Sequence, residues 1–276
     1  MQLELFPQKK KYKLLSLSSG SNGNCYYLGT SEKGILIDAG IGVRTIKKHL
    51  REYGIALETI MGVLITHDHS DHVKSVSALG SKMNIPVYAT EAVHNGIDRN
   101  RFCIERINGG SRRIICKRVP FKVFDFEVTA FEVPHDSIEN VGYQIKVEDQ
   151  TIVIATDIGR ITDEIACFAR TANHLIFESN YDEFMLHNGH YPDILKRRII
   201  SGNGHLSNDV AGEFLADIFD SHLKEIWLCH LSNDNNRPEI AYNTVQNKLA
   251  QKGIIVGKHV ELKTLLRGKP SAYKEF

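Results

Sequence analysis

The chain has 276 residues, 42% hydrophobic and 24% charged, and its 34 basic against 33 acidic side chains leave a net charge of +1. This is the composition of an ordinary globular protein with a substantial core, and it excludes a global field that would draw the molecule to a polyanion. No apolar run approaches the roughly 20 residues of a membrane span, and the opening MQLELFPQKKKYK lacks the order of a secretory signal, so a soluble cytoplasmic protein with no membrane partner is expected.

Short β-rich runs come first, at Lys13 to Leu17, Cys25 to Leu28 and Gly34 to Ile37, followed by a helical stretch at Val43 to Tyr53. Strands are then expected at Gly62 to Ile65 and Pro86 to Ala89, with helices at Asp71 to Met83 and Thr90 to Asp98, and Arg113 to Val133 reads as strand in several pieces. The second half repeats the theme. VGYQIKVEDQTIVIATD reads as a hairpin turning at Glu148 to Gln150, and HLIFES and EIWLCH as further strands. Helices fall near Thr162 to Arg170, Asp209 to Asp220 and Pro238 to Lys252, and a closing strand pair near Ile254 to Leu266. No linker or low-complexity segment divides the halves, so residues 1–276 read as one domain of layered sheets with helices outside.

Cys25, Cys103, Cys116, Cys167 and Cys229 stand far apart with no CxxC pair, which points to a reducing compartment and space-filling thiols. Basic runs at Arg44 to Arg51, Arg112 to Arg118 and Lys196 to Arg198 read first as solvated faces. The loop GSNGN, Gly20 to Asn24, reads first as a plain turn, and LHNGHYP, with His187 and His190, as a loop near substrate.

Directly after the strand GVLI stands ITHDHSDH, Ile65 to His72. Neutral imidazoles and a carboxylate are ligands for a borderline-soft divalent ion such as zinc. In extended chain His67 and His69 point the same way and can hold one ion. A helix beginning near Ser70 would bring Asp71 and His72 to a second. Four residues cannot complete two shells, and the candidates for the rest end strands: His135 after FEVP, Asp157 after TIVIAT and His230 after EIWLC. Five histidines and two aspartates suffice for two ions with one carboxylate bridging. Cys229, one residue before His230, faces the opposite way and is expected in the core.

HxHxDH followed by a strand-end histidine, aspartate and histidine resembles the metallo-β-lactamase superfamily, which implies an α+β fold, the αββα four-layer sandwich, with the site at the sheet edges. LSSGSNGNCYYL, ILIDAG, ESNYD, LKRRIISGNGHLSN and HLSNDNN are similar to the YycJ/WalJ group of bacterial metallohydrolases. The resemblance implies His67, His69 and His135 on a first metal, Asp71, His72 and His230 on a second, and Asp157 between them, with zinc as the first choice and manganese or iron as alternatives. It implies that Asp38 orients a histidine from beneath the site. Between Asp157 and His230, Glu178 and His205 resemble the glutamate–histidine pair of ribonuclease Z, implying a dyad that protonates a leaving oxygen. With Asp71 these form the expected catalytic set.

The function this implies is a two-metal hydrolase using a metal-bound hydroxide, a phosphodiesterase or nuclease acting on DNA rather than RNA, as a 5′-to-3′ exonuclease. Two alternatives stand beside it: a small-molecule hydrolase of thioesters or lactones, and a non-catalytic metal-stabilised regulatory module. Only 46 residues follow His230, too few for the helical region with which a glyoxalase II type of enzyme holds its substrate, and a closed structural site would need no acid such as His205. The 72 residues between Asp157 and His230 leave no room for the inserted domain of ribonuclease J. Oligomeric state is not legible.

Overall fold

The computed structural model describes residues 10–276; the first nine residues, part of the opening read as no secretory signal, lie outside the described residues. Strands β1 (Lys13–Ser18), β2 (Cys25–Gly29), β3 (Gly34–Ile37), β4 (Ile60–Leu64), β5 (Val87–Ala89) and β6 (Arg112–Ile114) are laid down in order across one sheet. A second sheet is built from β7 (Phe121–Val123), β8 (Phe126–Glu132), β9 (Val141–Val147), β10 (Gln150–Ala155), β11 (His174–Glu178), β12 (Glu225–Cys229) and β13 (Glu261–Thr264), again in chain order. The last strand, β14 (Ala272–Glu275), returns to the first sheet and pairs antiparallel with β1.

Period-two alternation sorts the side chains of each strand between two cores. In β3, Ile35 and Ile37 face the other sheet while Leu36 faces outward; in β12, Trp227 and Cys229 face inward and Ile226 and Leu228 outward. Both faces are buried, which is why these strands read as nearly continuous apolar runs. The outer face of the first sheet is covered by α1 (Val43–Glu52), α2 (Ser70–Val73) with the chain that follows it, and α3 (Glu91–Ile97). The outer face of the second sheet is covered by α4 (Asp163–Ala169) and, after the small α5 (Glu183–Asn188) and α6 (Asp193–Ile200), by α7 (Asn208–Ile218) and α8 (Pro238–Gln251). The result is the expected four-layer order, helix, sheet, sheet, helix. Among the described residues no helix is long and apolar enough to cross a membrane.

Four local expectations need correction. The helix expected over Asp71 to Met83 is broken: one turn of α-helix ends at Val73, and the chain resumes as a wider, π-helical turn at Ala78–Lys82. The Asp71 carbonyl accepts the Asn24 N–H at 2.7 Å and the His72 carbonyl the Ala39 N–H at 2.8 Å, while the Ser75 N–H goes to Ala39, so the ladder that would continue the helix is spent on a neighbouring loop. The closing strand pair is not a pair. Val256 and Val260 form an isolated bridge across a turn containing left-handed Gly257, and only Glu261–Thr264 is a strand, parallel to β12. His187 lies in the last turn of α5 rather than in a loop, and only His190 remains in the connection to α6. Cys25, Cys103 and Cys229 fill space as expected, but Cys116 and Cys167 are exposed.

All seven expected ligands converge because the strands before them share a direction. β3, β4 and β5 run parallel, as do β10, β11 and β12, and β8 and β10 both run antiparallel to β9 and so parallel to each other. Cross-sheet bonds close the sandwich at this end: the Val141 N–H to the Thr66 carbonyl (3.0 Å), the Tyr143 hydroxyl to the Ile65 carbonyl (2.7 Å) and the His230 N–H to Ser19 Oγ (2.9 Å).

Candidate metal centre

His67 and His69 leave β4 in extended chain, and His72 and Asp71 come from the single turn of α2, as the spacing suggests. His135 follows β8, and Asp157 and His230 follow β10 and β12. Asp38, Asp157 and His230 stand at strand exits with left-handed backbone, at φ 58°, 57° and 55°. Such a conformation costs a non-glycine residue on the order of 1 kcal/mol or more and persists only where the surroundings impose it. Here it turns the chain sharply off the sheet edge.

The side chains form two triads. Potential ligand atoms of His67, His69 and His135 lie within 4.8 Å of one another, as do those of Asp71, His72 and His230, and Asp157 joins His67 and His72 in a third such group. Asp157 Oδ2 is 3.3 Å from His72 Nε2, and its Oδ1 is 3.7 Å from His135 Nε2 and 3.5 Å from His230 Nδ1. One buried carboxylate therefore touches both triads.

In four of the five histidines Nδ1 is held by the protein, which leaves Nε2 for the centre. His72 Nδ1 donates to Asp38 Oδ2 at 2.7 Å, His135 Nδ1 to the Gly204 carbonyl at 3.1 Å, and His230 Nδ1 to Glu178 Oε1 at 3.0 Å. The Thr66 hydroxyl donates to Asp38 and accepts from His67 Nδ1 at 3.0 Å. Asp38 thus sets the tautomer of His72 directly and that of His67 through Thr66. His67 Nε2 and His230 Nε2 are buried with no hydrogen-bond partner among the described residues. A buried imidazole nitrogen without a partner is costly unless something else binds it. That, with a donor set of imidazoles and carboxylates, fits divalent metal ions.

The electrostatics agree. Burial, helped by the imidazole of His72, holds His67 well below the usual histidine range, and burial also lowers His135, which favours the neutral form a metal ligand needs. Burial alone would depress His72 and His230 too, but Asp38, Asp157 and Asp71 raise His72 well above its ordinary value, and Asp157, Asp71 and Glu178 raise His230 to about 10. Burial would raise Asp71 and Asp157, yet the surrounding imidazoles outweigh it and hold both carboxyls low. The carboxylates gathered around His72 and His230 give the cavity the negative charge that suits a cation.

Beside the second triad, Glu178 is fully buried, and all of its acceptor capacity is engaged. Oε1 receives His205 Nδ1 (2.9 Å) and His230 Nδ1 (3.0 Å), and Oε2 receives the N–H groups of Ile158 (2.8 Å) and Leu206 (3.1 Å). Burial pushes its pKa up, but His205 and His230 more than offset this and keep it ionised. His205 Nε2 has no partner among the described residues, and the ring lines a polar recess of about 170 Å³ with Ser21, Asn180, Tyr191 and Arg198. The Lys196 to Arg198 run is split: Lys196 donates to the His187 carbonyl, whereas Arg198 turns to the cleft and pairs with Asp136. The other two basic runs stay away from the centre. Arg112 pairs with Asp98 (3.0 Å), Lys117 with Glu139 (2.8 Å), Arg118 with Glu164 (2.5 Å), and Lys47 of α1 with Glu58 (3.3 Å).

Residues 20–24 are more than a plain turn. Asn24 is buried, with Oδ1 accepting the Gly20 N–H at 2.8 Å and Nδ2 lying 2.9 Å from His72 Nε2. An Asn-Gly-Asn string at a strand end gives no sign of this, because the partner is 48 positions away. Gly40 was likewise silent in sequence. A Cβ there would lie 1.6 Å from the Asp71 carbonyl oxygen, so only glycine lets this loop press against α2. Gly40→Ala is expected to destabilise the protein by about 3 kcal/mol in urea unfolding and to lower bound metal per chain, because the contact is backbone against backbone. A variant with unchanged midpoint and metal content would show that α2 can move without loss.

The family described as "Beta-lactamase superfamily domain" matches residues 33–223. The chain is 36% identical over 250 residues to the exodeoxyribonuclease YycJ of Bacillus anthracis, covering 89% of this chain and 92% of that protein. It is 34% identical over 246 residues to the exodeoxyribonuclease WalJ of Streptococcus pneumoniae serotype 2, covering 89% of this chain and 91% of the other. Among solved structures, the metallo-beta-lactamase fold protein YhfI from Bacillus subtilis matches with a TM-score of 0.69 at 17% identity, over 97% of this chain and 100% of that one.

Proposed function

The chain belongs to the metallo-β-lactamase superfamily, in company with YycJ- and WalJ-like proteins, and from that premise we propose that it is a metal-dependent hydrolase that cleaves DNA phosphodiesters from a strand end. His67, His69 and His135 would hold one divalent ion, Asp71, His72 and His230 a second, with Asp157 between them; zinc suits the donors, and manganese or iron use the same ones. Bound there, such a pair supplies a water of lowered pKa and neutralises charge on the phosphate.

The chain's own residues do the rest. Asp38, Thr66, Glu178 and the Gly204 carbonyl hold four imidazoles in one tautomer, so no reorganisation is needed when substrate arrives. Glu178 orients His205 through Nδ1, leaving Nε2 to give a proton to the departing deoxyribose oxygen. An alkoxide leaves poorly without a proton, whereas the thiolate expelled from a thioester needs none. The single observation that carries the reading is this pairing of a carboxylate–histidine proton donor with two adjoining ligand triads, in a chain that covers nearly all of two relatives named exodeoxyribonucleases.

The test is to quantify metals in the purified protein and assay it on 5′-phosphorylated single- and double-stranded DNA and RNA, labelled at either end, beside a thioester. Two ions per chain and release of nucleotides from the 5′ end of DNA are expected. Rapid thioester cleavage with intact nucleic acid would overturn the assignment.

A further inference from the structure

Outside the ligand set, the segment Arg99–Cys103 is built onto the site. Asn100 Nδ2 donates to the Asp68 carbonyl at 2.7 Å, Asn100 Oδ1 accepts the Phe102 N–H at 3.0 Å, and Cys103 Sγ donates to the Val73 carbonyl at 3.4 Å. The turn is thus pinned to both ends of the HDHSDHV stretch. On one side of Ser70 and Asp71 it borders a recess of about 390 Å³ shared by His69, Arg99 and Arg198; on the other, Phe102 and Lys74 border a second of about 150 Å³.

Unpaired cations gather beside this turn. Arg198 is paired, but Lys74, Arg99 and Arg101 are exposed and have no carboxylate partner among the described residues. Phe102 keeps 44% of its surface exposed, with the Arg101 guanidinium carbon 5.1 Å from its ring centroid. Core packing does not account for a large aromatic held by its own backbone at the mouth of a metal centre. An aromatic face set among cations matches the alternation of base and phosphate along a nucleic-acid strand.

We infer that Phe102 stacks on the exposed face of a terminal base while Lys74 and Arg99 contact the flanking phosphates, holding a strand end in register with the metal centre. The inference rests on the phosphodiesterase reading above. Such a base face is presented by a single strand and by the last pair of a blunt duplex.

The test compares KM of the holoenzyme and its variants on a 5′-phosphorylated single-stranded oligonucleotide and on the blunt duplex of the same sequence. Stacking on one base contributes about 1–3 kcal/mol, so Phe102→Ala is expected to raise KM by roughly 5- to 150-fold, more than it lowers kcat, with Phe102→Trp restoring it. A rise on the single strand alone assigns the unpaired base, and a rise on both substrates assigns the strand end in either form. Lys74→Ala and Arg99→Ala should each reduce the slope of log KM against log salt by about one. Lys47→Ala, at the α1 lysine paired with Glu58, serves as the reference at wild-type KM. An active holoenzyme whose KM ignores Phe102→Ala on both substrates overturns the inference while leaving the phosphodiesterase reading in place; a metal-loaded protein that cleaves neither substrate overturns both.

Discussion

Asp157→Asn is expected to lower phosphodiester cleavage by at least about 10³-fold, some 4 kcal/mol of transition-state stabilisation, and to reduce bound metal below two ions per chain. The substitution keeps size and shape. Asparagine is among the residues that tolerate the left-handed backbone found here, so the φ of 57° remains accessible. What changes is charge and donor type at the position reaching His72, His135 and His230 together, 3.3 to 3.7 Å from each. The Thr156 hydroxyl now donates to Asp157 Oδ2 at 2.8 Å, and an amide nitrogen placed there would meet it as a second donor. Metal analysis by mass spectrometry, with circular dichroism to show an intact fold, checks both halves. Full activity with two ions would remove Asp157 from the centre.

The second large effect separates chemistry from metal binding. His205→Gln is expected to leave metal content at the wild-type level and to slow cleavage of an oligonucleotide by roughly 10²–10⁴-fold, the contribution of one positioned general acid. The same variant should lose far less on bis-p-nitrophenyl phosphate, whose leaving group departs without a proton. This contrast is what a donor predicts and a merely structural histidine does not. His205 also falls within 4.8 Å of ligand atoms of Asp157, Glu178 and His230, so loss of a metal ion in the variant would reassign it as a ligand.

Much of this was legible because its causes are local. The nearly unbroken apolar runs of GILI and EIWLC report burial on both faces of a strand, and HxHxDH directly after a strand reports both the candidate ligand types and the turn that divides them between two triads. The helix drawn from Asp71 to Met83 failed for a reason no local pattern holds. Its carbonyls at Asp71 and His72 bond to Asn24 and Ala39, so the periodicity of the sequence remained while the ladder did not. β14 was missed because its four residues join β1, across nearly the whole chain, and alternate only weakly. Arg99–Phe102 was passed over because two arginines around an asparagine form no conspicuous charge run; an aromatic beside them was the available signal.

By itself the sequence determined the kinds of candidate ligand, their order along the chain and their placement at strand ends, since residue chemistry and a two-residue period are properties of short stretches. Only the tertiary structure decided which nitrogen four of the five imidazoles turn to the centre, that Glu178 serves His205 and His230 at once, and that Gly40 and Asn24 brace α2. Those outcomes depend on contacts between positions dozens of residues apart, and such contacts exist only once two sheets have closed face to face and brought their strand ends to a common edge.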